Sequence, residues 1–393
     1  MSTLRILPDH LVNQIAAGEV IERPAAALKE IIENALDAGA HAIDVVLKNG
    51  GKTYICVTDD GCGMSRDDLS LAVMRHATSK MPADDLVHIE TMGFRGEALP
   101  SIGAVSRLTI TSRQPGTDSA WQIRVEGGAI TPPTLASHPV GTRVEVRDLF
   151  YATPARLKFL KADATEYAAC KDVILRLALA RPDVGFTLTH NDQRVIHTAP
   201  VTGAPADQLA ARARALMGAE FHDQTVPVHA DDGTVQIAGR IGGPTYHKGQ
   251  SNHQYLFVNN RPVKDRLILG ALRAAFGDVI PHDRHGVAML FITLPPEEVD
   301  VNVHPAKAEV RFRDSARIRS LLIASIRARL SAHHPAAAMS GLSPLQMMSS
   351  SSAGHTMTPR VAYGGGGGGA SYRYAATSPS PILYDTARGA YAP

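Results

Sequence analysis

The chain reads PAAALKEIIENALDAG from Pro24 to Gly39, and its apolar residues recur every three or four positions. Proline suits the first turn of a helix, and glycine suits the position after its end. Five apolar residues fall on one stripe of such a helix: Leu28, Ile31, Ile32, Ala35 and Leu36. The pattern predicts an amphipathic helix over 24–38 whose apolar stripe is buried.

The opposite face of this helix carries Glu30, Asn34 and Asp37. They share that face because a step of four residues turns the side chain by only about 40°. A solvated face is the ordinary interpretation, but asparagine is a poor helix former in mid-helix. A glutamate and an asparagine one turn apart can hold a water molecule and a hard cation together. Both interpretations are open.

Two strands follow, at 42–48 and 53–58, joined by a hairpin-type turn at Asn49-Gly50-Gly51. The second strand leads into Asp59-Asp60-Gly61-Cys62-Gly63. This run is either an ordinary Asp-Gly turn or a ligand site. In a site, the carboxylate would accept a hydrogen bond from a base amino group, and the glycines would let the ligand approach the backbone.

A third polar motif, Gly93-Phe94-Arg95-Gly96-Glu97-Ala98-Leu99, stands at the start of a helical stretch. Backbone N–H groups at a helix start can bind an anion, and a helix cap with a salt bridge is the alternative. Before it, Ser65 and Asp68 form a capping-box pattern for a helix through about Arg75. The polar stretch 76–91 predicts a long loop.

The rest of the chain alternates strand and helix patterns, which predicts an α/β or α+β fold. Strands are expected at 106–113, 120–126, 142–148, 185–190, 234–241, 254–260, 287–294 and 299–303. Helices are expected near 165–180, 206–217, 265–276 and 315–330. We place a domain boundary near residue 200, around Pro200–Pro205.

Composition excludes several classes of protein. A net charge of +2 excludes a histone-like or acidic-tail protein. No apolar run approaches the ~18 residues that span a bilayer, and the first residues lack a signal-peptide pattern, so we expect a soluble, unsecreted protein. The three cysteines, Cys56, Cys62 and Cys170, are too few and too irregular for a disulfide framework or a zinc site. A reducing cytoplasm fits best.

Composition changes sharply near residue 331. The stretch 331–393 contains only four charged residues and six consecutive glycines at 364–369. Such a segment cannot bury enough apolar surface to order itself, so we predict a flexible linker. Because a linker normally leads to another domain, we expect this chain to be the front part of a longer protein.

The common nucleotide and hydrolase motifs, such as G-x-x-x-x-G-K-[ST] and G-x-S-x-G, are absent. The chain instead resembles the GHKL ATPase superfamily in carrying three motifs in this order: E-x-x-x-N, D-x-G-x-G and G-F-R-G-E-A-L. Four longer runs narrow the resemblance to the MutL family of DNA mismatch repair proteins: QIAAGEV at 14–20, RHATSK at 75–80, GFRGEAL at 93–99 and DVNVHPAK at 300–307. The resemblance covers about residues 1–330.

The resemblance implies an α+β protein in three parts. Residues 1–200 are expected to form a GHKL (Bergerat-type) α/β sandwich with an ATP lid at about 76–99. Residues 201–330 are expected to form a ribosomal-protein-type left-handed βαβ domain, and residues 331–393 a disordered linker. Pro100 departs from the family, which usually has a small residue there, and proline is tolerated only early in a helix.

The resemblance also implies roles for individual residues. Glu30 is expected to be the general base, Asn34 the Mg²⁺ ligand, Asp59 the adenine contact, and Lys307 a catalytic cation that reaches the γ-phosphate of ATP. The remaining expected nucleotide contacts are Gly61, Gly63, Thr78, Arg95, Gly96, Leu99 and Thr142. Phosphoryl transfer depends mostly on positioning and charge neutralisation, so a cation from a second domain would make catalysis depend on domain closure.

Two basic segments favour binding to the DNA backbone. Residues 240–273 and 301–330 each carry a net charge of +5. A groove that tracks phosphates is the preferred interpretation, with Arg261, Lys264 and Arg266 as contacts, and a scattered solvated surface is the alternative. Aromatic residues do not interleave with the basic ones, so base stacking is not indicated.

The expected function is therefore that of a weak Mg²⁺-dependent ATPase in DNA mismatch repair. It would dimerise its N-terminal halves as a clamp on DNA, and it would couple a MutS-type mismatch-recognition protein to a downstream nuclease or helicase, in the cytoplasm at the nucleoid and without a membrane. The alternative is an ATP-switched adaptor in which hydrolysis only resets the switch. Type II topoisomerase, heat-shock chaperone and histidine kinase relatives fit less well, and 331–393 supplies no endonuclease motif.

Overall fold

The structure is a computed structural model that describes residues 17–18, 20–75, 77, 96–301, 303 and 308–333. These residues belong to one compact unit that contains two large sheets. Most of the predicted lid, including Thr78 and Arg95, lies outside the described residues, as do Lys307 and the predicted linker after His333.

The first sheet has eight strands in the order β5-β4-β3-β6-β2-β1-β7-β8, and β1 and β7 are its one parallel pair. The strands are β1 (Ala42–Lys48), β2 (Tyr54–Asp59), β3 (Arg107–Arg113), β4 (Ala120–Glu126), β5 (Ala129–Ala136), β6 (Gly141–Arg147), β7 (Gly185–His190) and β8 (Gln193–Thr198). Its helices are α1 (Pro24–Asp37), α2 (Arg66–Ala72), α3 (Ala98–Val105), α4 (Pro154–Leu157) and α5 (Asp163–Ala180).

Helix α1 packs its predicted apolar stripe into the core of this sheet. All five residues of the stripe are buried, and they join Ile43, Val45 and Leu47 of β1 in one hydrophobic cluster. The alternation of β1 explains this contact, because every second side chain of a strand points to the same face. Ser65 and Asp68 form the predicted capping box, and the helix that they begin ends at Ala72, three residues before the predicted end.

The second sheet has five strands in the order β13-β12-β15-β10-β9. Its elements, with two small strand pairs, are α6 (Pro205–Gln224), β9 (Thr225–Asp231), β10 (Gln236–Gly242), β11 (His247–Lys248), β12 (Gln254–Val258), β13 (Arg261–Val263), α7 (Arg266–Phe276), β14 (His285–Gly286), β15 (Ala288–Thr293), β16 (Val299–Asp300), β17 (Arg311–Phe312) and α8 (Ser315–His333). Strands β12 and β15 are parallel, and the chain between them includes α7, which makes a βαβ unit; its left-handed sense stays a prediction.

Each sheet has its own hydrophobic cluster, and a third cluster joins the two. The third cluster contains Leu179 of α5, Ala213 of α6, Phe257 of β12 and Met289 of β15. Arg212, which is fully buried, ties α6 to the end of the first sheet. Its guanidinium donates to Thr198 Oγ1 at 2.6 Å and to the carbonyl oxygens of Pro182, Val184 and Ala199.

The predicted α+β class is confirmed, and the predicted strands and helices lie within a few residues of the observed ones. The observed elements differ from the predicted ones in three respects. Helix α6 runs past the predicted end at 217, but it is interrupted at Gly218, whose φ is 87°. Helix α8 extends to His333, so the first three residues of the predicted linker are helical. The strands that were not predicted are mostly edge strands. Within the described ranges, no helix is long and apolar enough to cross a membrane.

Candidate active site

Asp59 is a buried carboxyl group at the end of β2. It stands on the same face as Ile55 and Val57, and only 7% of it is exposed. Its Oδ1 accepts a hydrogen bond from the Gly61 N–H at 3.0 Å. Burial raises the pKa of Asp59 to about 6, although the backbone N–H groups of Gly61 and Thr142 act to lower it. A perturbed carboxyl of this kind is typical of a binding or catalytic site rather than an ordinary turn.

The glycines after Asp59 leave no room for side chains. A methyl group on Gly61 would lie 2.8 Å from the Ala38 carbonyl oxygen, and one on Gly63 would lie 2.1 Å from the Arg113 carbonyl oxygen. Gly63 also has a φ of 65°, which favours glycine. The Cys62 N–H donates to the Ala38 carbonyl at 3.0 Å. The turn is therefore held against the end of α1, the helix that carries Glu30 and Asn34.

The polar face of α1 is not a fully solvated surface. Glu30, Asn34 and Asp37 are all half-buried. The neighbouring Glu33 is 1% exposed, and the Lys29 Nζ lies 2.9 Å from its Oε1 and 3.7 Å from the Glu30 Oε1. One turn of helix thus gathers two carboxylates and a lysine beside Asn34.

Thr142 lies on β6 beside Asp59, and Ser112 lies one strand further away, on β3. Thr142 is paired with Asp59 across β6 and β2, and its Oγ1 lies 2.8 Å from the Ser112 Oγ. The same Ser112 hydroxyl accepts a hydrogen bond from the Met64 N–H at 2.8 Å. Sequence reasoning missed Ser112. Its signal was a polar residue on the same face of β3 as the buried Leu108 and Ile110.

Gly96 and Leu99 lie at the start of α3. Gly96 has a φ of 60°, and a methyl group there would lie 2.4 Å from the Ala77 carbonyl oxygen. Leu99 packs against the first hydrophobic cluster. Pro100 is the third residue of α3, where a backbone N–H has no partner within the helix, so the proline removes no helical hydrogen bond.

A magnesium ion at this site would have few protein ligands. Among the described residues, no group of three or more His, Cys, Asp or Glu side chains could hold a metal ion. Asn34 offers an amide oxygen, which is a ligand that Mg²⁺ accepts, and Mg²⁺ commonly takes its other ligands from phosphates and water. The side chains present therefore fit a nucleotide-bound ion.

The three predicted DNA contacts have different environments. Arg266 is 91% exposed, and its Nε lies 3.6 Å from the Glu309 Oε1. Lys264 is 62% exposed and forms an ion pair with Asp172 of α5 at 3.1 Å. Arg261 is buried, with 7% of it exposed, so it does not share the surface of the other two.

Comparison with known sequences gives two family matches. Residues 22–140 match the family described as "Histidine kinase-, DNA gyrase B-, and HSP90-like ATPase". Residues 213–331 match "DNA mismatch repair protein, C-terminal domain". The first match contains Glu30, Asn34 and Asp59, and the second contains all five strands of the second sheet.

Two similar proteins are both named "DNA mismatch repair protein MutL". The one from Paramagnetospirillum magneticum is 56% identical over 342 residues, which is 86% of this chain and 56% of that protein. The one from Rhodospirillum rubrum is 56% identical over 330 residues, 84% of this chain and 52% of that protein. The chain thus spans slightly more than half the length of these relatives.

Solved structures also resemble this chain. The N-terminal domain of a DNA repair protein superposes with a TM-score of 0.72 at 22% identity over 83% of this chain and 99% of that one, which shows a shared fold. The Aquifex aeolicus MutL ATPase domain complexed with ADP superposes with a TM-score of 0.55 at 27% identity over 77% of this chain and 98% of that one. From these matches and the geometry of the site, we conclude that the chain belongs to the MutL family and has the GHKL ATPase fold.

Proposed function

We propose that this chain binds and hydrolyses ATP at the site formed by α1, the end of β2 and the start of α3. One observation carries the proposal: a buried carboxyl group, Asp59, is followed by two glycines that admit no side chain, against the end of the helix that carries Glu30 and Asn34. The ADP-bound ATPase domain of the similar Aquifex aeolicus protein supports a nucleotide as the ligand.

Each residue has a distinct part in this proposal. Asp59 accepts a hydrogen bond from the adenine amino group, and Thr142 and Ser112 hold that end of the strands in place. Glu30 removes the proton from the attacking water. Asn34 would hold Mg²⁺, whose role is to neutralise phosphate charge. Gly61, Gly63, Thr78, Gly96, Arg95 and Leu99 are the other proposed nucleotide contacts, and Lys307 is the proposed γ-phosphate contact.

Substitution of two residues separates binding from hydrolysis. Glu30→Ala is expected to keep ATP binding and to lower kcat at least about 100-fold, because the general base is lost. Asp59→Asn is expected to weaken ATP binding about 10- to 100-fold, because a charge-assisted hydrogen bond is lost. Equilibrium binding of a fluorescent ATP analogue and steady-state phosphate release measure the two effects.

Two exposed residues provide matched controls, Glu22→Ala on the chain before α1 and Asp44→Asn on β1. Both should leave binding and turnover unchanged. Undiminished turnover by the Glu30→Ala protein would rule out the proposed base.

For the whole protein we propose a role in DNA mismatch repair, in the cytoplasm at the nucleoid. ATP binding would drive association of two N-terminal halves as a clamp on DNA, and the clamp would couple a MutS-type protein to a downstream nuclease or helicase. Complementation of a repair-deficient strain with the Glu30→Ala protein tests this mechanism against the adaptor alternative. A clamp that needs hydrolysis to do its work predicts loss of repair, whereas an adaptor for which ATP binding suffices would keep a substantial part of it.

A further inference from the structure

Three polar side chains stand in a row across neighbouring strands of the first sheet, on the face that carries the hydrophobic core. Asp59 of β2 is paired with Thr142 of β6, and Thr142 is paired with Ser112 of β3. Paired residues of antiparallel strands point to the same face, with Cβ atoms about 5 Å apart. All three residues are buried. Thr142 therefore lies between the carboxyl group proposed to bind adenine and a buried serine.

The Ser112 hydroxyl has three hydrogen-bond partners. The Met64 N–H donates to its Oγ at 2.8 Å. The Gly141 carbonyl oxygen lies 3.1 Å from this Oγ, and the Thr142 Oγ1 lies 2.8 Å from it. A hydroxyl group has one proton to donate and accepts two hydrogen bonds. Because a carbonyl oxygen can only accept, the proton of Ser112 goes to Gly141, and Thr142 donates its own proton to Ser112.

The reverse direction of the Ser112–Thr142 hydrogen bond is unfavourable. If Ser112 donated to Thr142, its oxygen and the Gly141 carbonyl oxygen would face each other at 3.1 Å with no proton between them. Thr142 thus presents only lone pairs toward Asp59, and an ionised carboxylate is also only an acceptor. The row formed by Asp59, Thr142 and Ser112 therefore offers acceptors, and no hydroxyl proton, to a bound base.

We propose that Ser112 is a positioning residue that sets the base preference of the nucleotide site, by holding the Thr142 hydroxyl proton away from Asp59. The inference rests on the proposed function, because it assumes that the purine lies at Asp59. A 6-aminopurine brings N–H donors that match these acceptors, whereas a 6-oxopurine brings an oxygen that finds no donor there. A site rejects a ligand of nearly the same shape when it leaves buried polar groups unpaired.

ATP and inosine triphosphate (ITP) test the proposal, because their bases differ only at position 6 and in the proton on N1. Competition with a fluorescent ATP analogue measures the affinity for each at pH 7.5, where Asp59 is ionised. Ser112→Ala is expected to lower the preference for ATP over ITP about 5- to 20-fold, because the Thr142 hydroxyl becomes free to donate toward a 6-oxo group. An equal loss of affinity for both nucleotides would show a purely structural serine and would overturn the proposal.

Ser106→Ala is the matched control. Ser106 is also fully buried in the first half of the described structure, and its hydroxyl donates to the Ile102 carbonyl oxygen at 2.7 Å. Both substitutions remove one buried hydroxyl group, so both should lower the midpoint of thermal unfolding. Only Ser112→Ala should change the ratio of the dissociation constants for ATP and ITP.

A double substitution shows whether Ser112 acts through Thr142. Thr142→Val removes the hydroxyl and keeps nearly the same shape, so no proton remains to be released. In the Thr142→Val protein, Ser112→Ala should therefore leave the base preference unchanged within about two-fold. A preference that falls equally in both backgrounds would overturn the role of the Thr142 hydroxyl.

A second substitution at the same position covers the case in which Ser112→Ala folds poorly. Ser112→Cys fills nearly the same space, but a thiol is a weak hydrogen-bond donor and acceptor. The preference for ATP should fall in this variant too, and an unchanged preference would overturn the proposal.

The outcomes also separate this inference from the proposed function. If the wild-type protein binds ATP and ITP equally well, or if Asp59→Asn keeps the wild-type affinity for ATP, the proposed adenine contact fails. If the wild-type protein prefers ATP and Asp59→Asn weakens ATP binding, but Ser112→Ala keeps the preference, only the positioning role of Ser112 is overturned.

Discussion

The residue Asp59 shows how a binding site costs stability. Its pKa is about 6 in the folded protein, against a usual value of 3.8. Between these two pH values the folded state holds the proton more tightly than the unfolded state, so stability falls as pH rises from about 4 to about 6. Above pH 6 the whole loss of stability is present. A rise in pKa of about two units corresponds to a loss of about 3 kcal/mol in the free energy of unfolding.

Asp59→Asn should therefore stabilise the nucleotide-free protein even though it weakens ATP binding. We expect a gain of about 1–3 kcal/mol in the free energy of unfolding at pH 7.5, and almost no gain near pH 3, below the pKa of Asp59 in both the folded and the unfolded state. Urea unfolding at the two pH values measures the difference. The exposed Asp44→Asn control should show no such pH-dependent gain, and an Asp59→Asn protein no more stable than wild type at pH 7.5 would contradict the argument.

Residue type and spacing were enough to find some of the site. Glu30, Asn34 and Asp59 stood out because each is polar in a place where local structure alone does not require it. Glu33 and Ser112 did not, because their importance depends on burial and on neighbours distant in sequence. Thr78, Arg95 and Lys307 rest on the family resemblance alone and stay predictions.

At the scale of elements, the turn after β2 lies so close to the backbone at Arg113 that the importance of this contact can be tested. Gly63 and Gly116 both have positive φ, 65° and 75°, so alanine is strained at either position. They differ in their surroundings: a methyl group on Gly63 would lie 2.1 Å from the Arg113 carbonyl oxygen, whereas nothing lies within 4 Å of one on Gly116.

Gly63→Ala is accordingly expected to damage the protein much more than Gly116→Ala. Backbone strain alone costs about 1–2 kcal/mol, which is the expected loss for Gly116→Ala. Gly63→Ala adds a collision with backbone atoms, so we expect a loss above about 3 kcal/mol and weaker ATP binding. Thermal unfolding and nucleotide titration report the two effects. Equal losses from the two substitutions would show that the contact with Arg113 is unimportant.

The elements that sequence patterns missed lie mainly at sheet edges. Strands β5 and β8 flank the first sheet, and β9 and β13 flank the second. A central strand is covered on its faces, so its sequence shows an apolar or alternating pattern. An edge strand is more exposed, so its sequence shows a weaker hydrophobic pattern. Most residues of β5 are exposed, and only Pro133 and Ala136 are half-buried. Pairing with β4, and not local sequence, defines it.

At the scale of the whole molecule, the third hydrophobic cluster and Arg212 join the two sheets. Neither was predictable, because both depend on residues distant in sequence: the cluster brings together α5, α6, β12 and β15, and Arg212 joins α6 to Thr198 of β8. We expect the described part of the chain to unfold in one cooperative transition as a result. The single tryptophan, Trp121, lies on β4 and reports the first sheet, while circular dichroism reports both.

The midpoints of urea unfolding by tryptophan fluorescence and by circular dichroism should therefore coincide. Leu179→Ala removes a fully buried side chain from the joining cluster, so it should lower stability by about 2–5 kcal/mol and shift both midpoints together. A fluorescence transition that separates from the circular dichroism transition in the wild-type protein would show that the halves unfold independently.

DNA binding also belongs to the scale of the whole molecule, since it depends on charge distribution. Net charge is −3 over residues 1–200 and +3 over 201–330. If the second part follows DNA phosphates, affinity should fall linearly with salt on logarithmic axes, and Arg266→Ala should reduce the slope by about 0.9. Fluorescence anisotropy with duplex DNA measures the slope. Arg194→Ala, at an exposed position on β8, should leave it unchanged.

Strand β5 has a further consequence for the behaviour of the protein at high concentration. It is an exposed edge strand with large apolar side chains, Ile130 and Leu135, on its surface. Its register against β4 shifts between Thr131 and Thr134, where Pro132 and Pro133 lie. Proline has no N–H to donate to an incoming strand, and an irregular edge pairs poorly. The two prolines thus protect this exposed edge from joining another sheet and starting aggregation.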